Sequence, residues 1–318
     1  MKKVMNLKNS LLFLILFSLL LAGRFFFLEP PVEKIIASMN VEDQKDLGFF
    51  FQYLVHDAHF GYVIFGDKPI SIAGYFIREP AEHVLSGYIP HIVIDRLWKV
   101  WKKHEHKFKF KKYLLLNEQG SLKSNNHRII TIINKKAFLE TVRENLVDFQ
   151  KVLGKNMTPE RLLKSLSNPN ANLFEALHRN EILYGILLGY GKENAIFYEQ
   201  RFILMRLADP AYVFFPVTES PYESYSIKLP KISPQFGSLK KEYEHVQQQC
   251  EFFDLDFKLS RFQSPHFIAI KNSSKTLTLK QKYRKLHREL IKRCAQGDFL
   301  TITLEQLCSQ EKSTRNDR

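Results

Sequence analysis

His56 and His59 stand three residues apart in an apolar stretch. On a helix both imidazoles would fall on one face, where two ring nitrogens can share a metal ion. A zinc hydrolase of the usual helical kind needs His-Glu-x-x-His, with the glutamate as general base. This chain reads His56-Asp57-Ala58-His59-Phe60, without that glutamate and without a third ligand nearby. His104-Glu105-His106 lies in a run of lysines and offers no better set. These residues point to histidines satisfied by packing, so no metal is expected.

Gly189-Tyr190-Gly191-Lys192 invites a phosphate-loop reading, which needs an earlier glycine at position 186 and a Ser or Thr after the lysine. Ile186 and Glu193 stand there instead. The pattern fits a glycine that ends one helix just before another begins. No Gly-x-Ser-x-Gly elbow is present for a serine hydrolase. Acidic residues are numerous, but their spacing selects no catalytic pair. No cofactor is expected, and an enzyme is less favoured than a binding protein.

Charge says more. The 318 residues carry 47 Lys and Arg against 33 Asp and Glu, a net +14. Residues 29–95 hold ten acids and four bases, so the surplus lies elsewhere. Residues 96–112 contain eight Lys or Arg and one acid, interleaved with Trp98, Trp101, Phe108 and Phe110. Residues 280–293 contain seven Lys or Arg and one acid. Such patches favour anionic partners and say nothing about the fold. The candidate contact residues are Lys99, Lys102, Lys103, Lys107, Lys109 and Lys111 in the first segment, and Lys282, Lys285, Arg288 and Lys292 in the second. An intramolecular alternative stands beside this one: the acidic section 29–95 docks on one of these faces.

The elements that must present these residues are mixed. Gly48 to His59 reads as a buried helix. Tyr62–Phe65 and Ile70–Ala73 read as strands joined by a turn at Gly66-Asp67-Lys68-Pro69. Strict alternation over Lys107–Lys111 predicts a strand with a lysine face, and His127–Ile133 predicts another. Asn134 is placed to cap a helix striped by Phe138, Val142, Leu146, Phe149 and Leu153. Thr158-Pro159 starts a further helix. Asn172 with Glu175 opens one expected to run unbroken to Gly189, and Lys192–Leu207 follows. Leu239–Phe253 reads as helical, and Phe257–Lys271 as one or two strands. Leu277–Ala295 is an amphipathic helix striped by Leu279, Tyr283, Leu286 and Leu290, with a last helix ending near Cys308. Hairpins and helices without regular βαβ order predict an α+β fold.

With 45% hydrophobic and 25% charged residues, the chain has enough apolar content for a packed core. Thirteen glycines and thirteen prolines exclude collagen-like repeats, and three cysteines are too few for a disulfide framework. Cys294 and Cys308 would be the pair if one disulfide formed; three reduced thiols are the equal alternative. Lys2, Lys3 and Lys8 precede an apolar run from Leu11 to Leu28, interrupted by Ser18, Gly23 and Arg24. Those 18 residues would measure about 27 Å as a helix. Leu21 makes a poor −3 residue for cleavage after Gly23, so the run is expected to be a retained signal anchor. The lysines ahead of it orient the anchor N-in.

The strings Phe65-Gly-Asp-Lys-Pro69 and Leu187-Leu-Gly-Tyr-Gly-Lys-Glu-Asn-Ala195 resemble a family of N-terminally membrane-anchored proteins from obligate intracellular bacteria. The resemblance implies an envelope location and brings no activity with it. The expected organisation is an anchor at 1–28, an extracytoplasmic α+β domain at 29–308, with a subdivision point near 210–238, and a polar tail at 309–318. The expected location is the inner membrane, in a single pass. The expected partners are the membrane through residues 11–28 and an anionic lipid, glycan or acidic protein. Nucleic acid is disfavoured outside the cytoplasm. The rival reading is a periplasmic hydrolase with catalytic carboxylates or a histidine metal site.

Overall fold

The computed structural model describes residues 30–77, 89–120, 126–168, 171–208, 236–253, 255 and 262–309. It is a mixed α/β fold with small antiparallel sheets. Strands β1 (Ile70–Phe76), β2 (Tyr113–Gln119) and β3 (His127–Asn134) form one sheet in the order β1-β3-β2. Its register pairs Ile70 with Ile133 and Tyr113 with Asn134. The central strand β3 reads HRIITIIN, apolar on both faces, as a strand covered on both sides must be. Alternate side chains enter two cores. Ala73, Tyr75, Tyr113, Ile130 and Ile132 face one; Ile70 and Ile133 face the other.

The first core is closed by α1 (Val32–Ala37), α2 (Val41–His56), α3 (Gly61–Ile64) and α4 (Ile89–His104). The second is closed by α5 (Lys135–Glu144), α6 (Leu146–Leu153), α7 (Pro159–Leu166), α8 (Leu173–Ala176), α9 (Glu181–Leu187) and the start of α10 (Lys192–Ala208). A two-stranded sheet, β4 (Cys250–Phe253) with β5 (Phe267–Ile270), follows α11 (Phe236–Gln248). Helices α12 (Ser274–Cys294) and α13 (Phe299–Cys308) return to the first core through Tyr283, Leu290, Leu304 and Leu307.

Caps fix the helix starts. The side chains of Asn40, Asn134, Thr158, Asn172, Asn180 and Asp298 each accept from a backbone N–H in the first turn of the helix they precede. Gly189 and Gly191 have φ of 78° and 82° and separate α9 from α10, so that turn is the expected helix break.

Several expectations are corrected. Tyr62–Phe65 is not a strand: Gly61–Ile64 is a helical turn packed under α12, where a Cβ on Gly61 would lie 2.7 Å from Leu290 Cδ2. No hairpin therefore joins it to β1. Lys107–Lys111 is not a strand either. A 3-10 turn covers Glu105–Lys107, and the residues after it pair with no strand among the described residues. Their alternation survives because Phe108 and Phe110 stack on Trp101. The helix expected from Asn172 to Gly189 breaks at His178 and Arg179, both with left-handed φ. The stripe from Phe138 to Leu153 breaks at Asn145, and Cys250–Phe253 is a strand. Cys250, Cys294 and Cys308 form no disulfide with one another.

The anchor is corrected as well. Among the described residues no helix is long and apolar enough to cross a membrane. The longest, α12, has 21 residues and is rich in lysine and arginine. The readings as a transmembrane helix, a signal anchor and a single-pass inner-membrane protein are therefore not supported by any described helix. Residues 11–28, 210–235 and 310–318 lie outside the described residues.

Gly66 supports a first prediction. Its φ is not left-handed, but an added Cβ would meet Tyr62 O at 2.6 Å and Leu286 Cδ2 at 3.0 Å. Gly66→Ala is expected to lower stability by about 1–3 kcal/mol through this overpacking. Gly48→Ala, inside α2 with nothing within 4 Å of its Cβ, should instead gain about 0.5–1 kcal/mol. Urea denaturation of both variants checks the pair, and an undiminished stability of Gly66→Ala would contradict the packing.

Candidate functional site

A pocket of about 990 Å³ opens between α5, the start of β2, the α3–β1 turn and the ends of α12 and α13. Lys111, Lys112, Lys135, Lys136, Arg143 and Arg293 line it, against one carboxylate, Glu140. Ile64, Phe65, Tyr113 and Leu139 supply its less polar wall. Lys111, Lys136, Arg143 and Arg293 are exposed, so the cations are accessible from solvent.

Local structure explains how these side chains converge. Asn134 ends β3 and caps α5, accepting from Ala137 N at 3.2 Å. Its amide donates to the carbonyls of Val63 and Gly66, each at 3.4 Å. The first turn of α5 is thereby tied to the turn after α3. Tyr113 donates to Ile64 O at 2.8 Å, holding the same wall. Lys135 donates to Lys111 O at 2.8 Å, and burial lowers its ammonium pKa from the ordinary value. Lys112 donates to Ser309 Oγ at 3.2 Å. Arg143 pairs with Glu160 at 3.1 Å. Lys136 and Arg293 form no ion pair among the described residues.

The first turn of α5 has no acidic residue and carries Lys135 and Lys136. Helix dipoles favour carboxylates at that end and disfavour ammonium groups. The cations sit where helix stability would not place them. The helix N-terminus and the lysines act together only on something negative placed between them.

Of the expected contact residues, the structure brings Lys111 alone to this pocket. Lys99 pairs with Asp95 at 2.6 Å, Lys102 with Glu105, Lys103 with Asp43 at 2.6 Å, and Lys282 with Asp67 at 3.0 Å. Asp43 also accepts from His104, and Arg96 pairs with Asp46 at 2.9 Å. The Lys103 and His104 contacts hold the Asp43 carboxyl below its ordinary pKa. The acidic α2 thus docks on the basic α4, the intramolecular alternative, for this part of the segment. Lys107 is half-buried and Lys109 exposed; Lys285, Arg288 and Lys292 share an exposed stripe of α12. Lys112, Lys135, Lys136, Arg143 and Arg293 were not singled out from the sequence. Two lysines directly after a capping Asn were the available signal.

Other chemistry is accounted for structurally. Lys68 is 3% exposed and donates to Ser71 Oγ at 3.2 Å. Ser71 is 1% exposed and donates to Ala58 O at 2.9 Å. Its proton is therefore committed away from the amine, and the pair is a buried relay of hydrogen bonds, not an exposed nucleophile with its base. His56 packs its ring on Phe262 and Phe299, while His59 lies beside His266 and is depressed to about pKa 3, chiefly by burial. Among the described residues no three His, Cys, Asp or Glu could hold a metal ion. Glu305, raised by burial and then by a hydrogen bond with Glu33, lies with it on the exposed surface. Lys192 is paired with Asp148 at 2.7 Å.

No protein-family model, curated protein or solved structure matches the chain.

A second prediction tests the positioning. Asn134→Ala should cost about 1–2 kcal/mol through the lost cap. Asn134→Asp keeps the cap acceptor and loses the donors to Val63 O and Gly66 O. It should weaken anion binding at the pocket more than it lowers the melting temperature. Equal binding by Asn134→Asp and the parent would contradict the role given to Asn134.

Proposed function

We propose that this protein is a non-enzymatic binding protein that receives an anionic ligand in the basic pocket beside α5. One observation carries the reading: six cationic side chains and the first turn of a helix surround one concavity that holds a single carboxylate. Like charges gathered this closely repel one another, and an anion between them relieves that repulsion. The hydrolase reading has less support, because the Lys68–Ser71 pair is closed inside the core and Glu33 and Glu305 stand on an exposed face.

The full chain, titrated by calorimetry with inorganic pyrophosphate, heparin and phosphatidylglycerol vesicles, tests this. At least one probe should bind, and binding should weaken as salt is raised from about 0.05 to 0.5 M. Absence of binding by all three at low salt would overturn the proposal.

A further inference from the structure

Resting on that reading of the pocket, we propose that its ligand is a compact small molecule carrying two or more phosphate groups, not an anionic polymer. The cations come from separate places in the chain: 111–112 before β2, 135–136 and 143 on α5, and 293 at the end of α12. They converge on one concavity. A polymer is bound by a row of cations that tracks its backbone. The row present in the sequence is interrupted in the fold, because Asp43, Asp46, Asp95 and Glu105 occupy Lys103, Arg96, Lys99 and Lys102.

The charge count sets the ligand's size. Six cations, less Glu140 in the lining and Glu160 on Arg143, leave a surplus of four positive charges, which suits an anion of several negative charges. A phosphomonoester carries about −1.5 to −2 at neutral pH, so two such groups match. A single carboxylate or one phosphate leaves half or more of that surplus uncompensated. Four of the six are lysines, point donors that can each meet a different phosphate oxygen. A pocket of about 990 Å³ has room for a molecule of this kind. Leu139, half-buried in the lining, gives its carbon body an apolar surface to rest on.

Calorimetry on the full chain separates the alternatives, with inositol hexakisphosphate, tripolyphosphate, citrate, heparin and a single-stranded oligonucleotide as probes. The two polyphosphates are expected to bind at least tenfold more tightly than citrate and to displace any heparin or oligonucleotide from the pocket. Lys136→Glu and, separately, Arg293→Glu should each weaken polyphosphate binding about tenfold or more with the melting temperature retained. Lys285→Glu with Lys292→Glu, outside the pocket, should leave it unchanged. Heparin or oligonucleotide binding that polyphosphates fail to displace would overturn the compact ligand while leaving an anion-binding function standing. Equal binding of citrate would overturn it too. No binding by any probe would remove both.

Discussion

Replacing Lys68 with methionine is expected to stabilise the protein by about 3 kcal/mol near neutral pH. Lys68 is buried to 3% exposure, and among the described residues its amine donates to Ser71 Oγ alone. Burial brings its pKa from 10.5 down to about 7. A shift of that size is on the order of 4–5 kcal/mol at 1.36 kcal/mol per unit, and the lost hydrogen bond offsets about 1 kcal/mol. The sign follows from proton counting. Between pH 7 and 10.5 the unfolded chain holds the proton and the folded chain does not, so stability rises with pH. Below pH 7 the cost of the buried ammonium is present in full. Urea denaturation at pH 6.5 and 9.5 should show the parent gaining stability at the higher pH, with Lys68→Met more stable and lacking this component. Destabilisation by Lys68→Met would show that the ammonium has a partner or a route to solvent.

The second large effect is on binding. Lys136→Glu combined with Arg293→Glu should reduce anion affinity by about a hundredfold or more, since two cations become two anions around one ligand. Stability should move the other way or hold. An acidic residue in the first turn of α5 suits the helix dipole by about 0.3–1 kcal/mol. Loss of function with retained or raised melting temperature is the mark of a site placed at the expense of local stability. A parallel loss of both would instead assign Lys136 and Arg293 to the folded structure.

What the sequence disclosed follows how local each signal is. The apolar run of β3, the cap at Asn134, the Thr158-Pro159 start and the Tyr283–Leu290 stripe of α12 are written in neighbouring residues, and the structure has them. Tyr62–Phe65 has strand-like residues, but Tyr62–Ile64 are helical, because their setting beneath Leu290 outweighs propensity. Phe108 and Phe110 alternate like a strand for want of any local sign that their partner is Trp101. His178 and Arg179 adopt left-handed φ without glycine, a break that no pattern announces. The pocket was legible only as charge. Lys111, Lys135 and Arg293 become neighbours through the β2–β3 pairing and the return of α12, long-range events that composition does not encode.

Lysine-reactivity footprinting tests the central claim most directly. The full chain would be acetylated under limiting conditions with and without saturating tripolyphosphate, and each lysine followed by peptide mass spectrometry. Lys111, Lys112, Lys135 and Lys136 are expected to lose reactivity on ligand addition, while Lys285 and Lys292 on the outer stripe of α12 keep theirs. Unchanged reactivity at the four pocket lysines, or protection confined to Lys285 and Lys292, would contradict the assignment of the anion site.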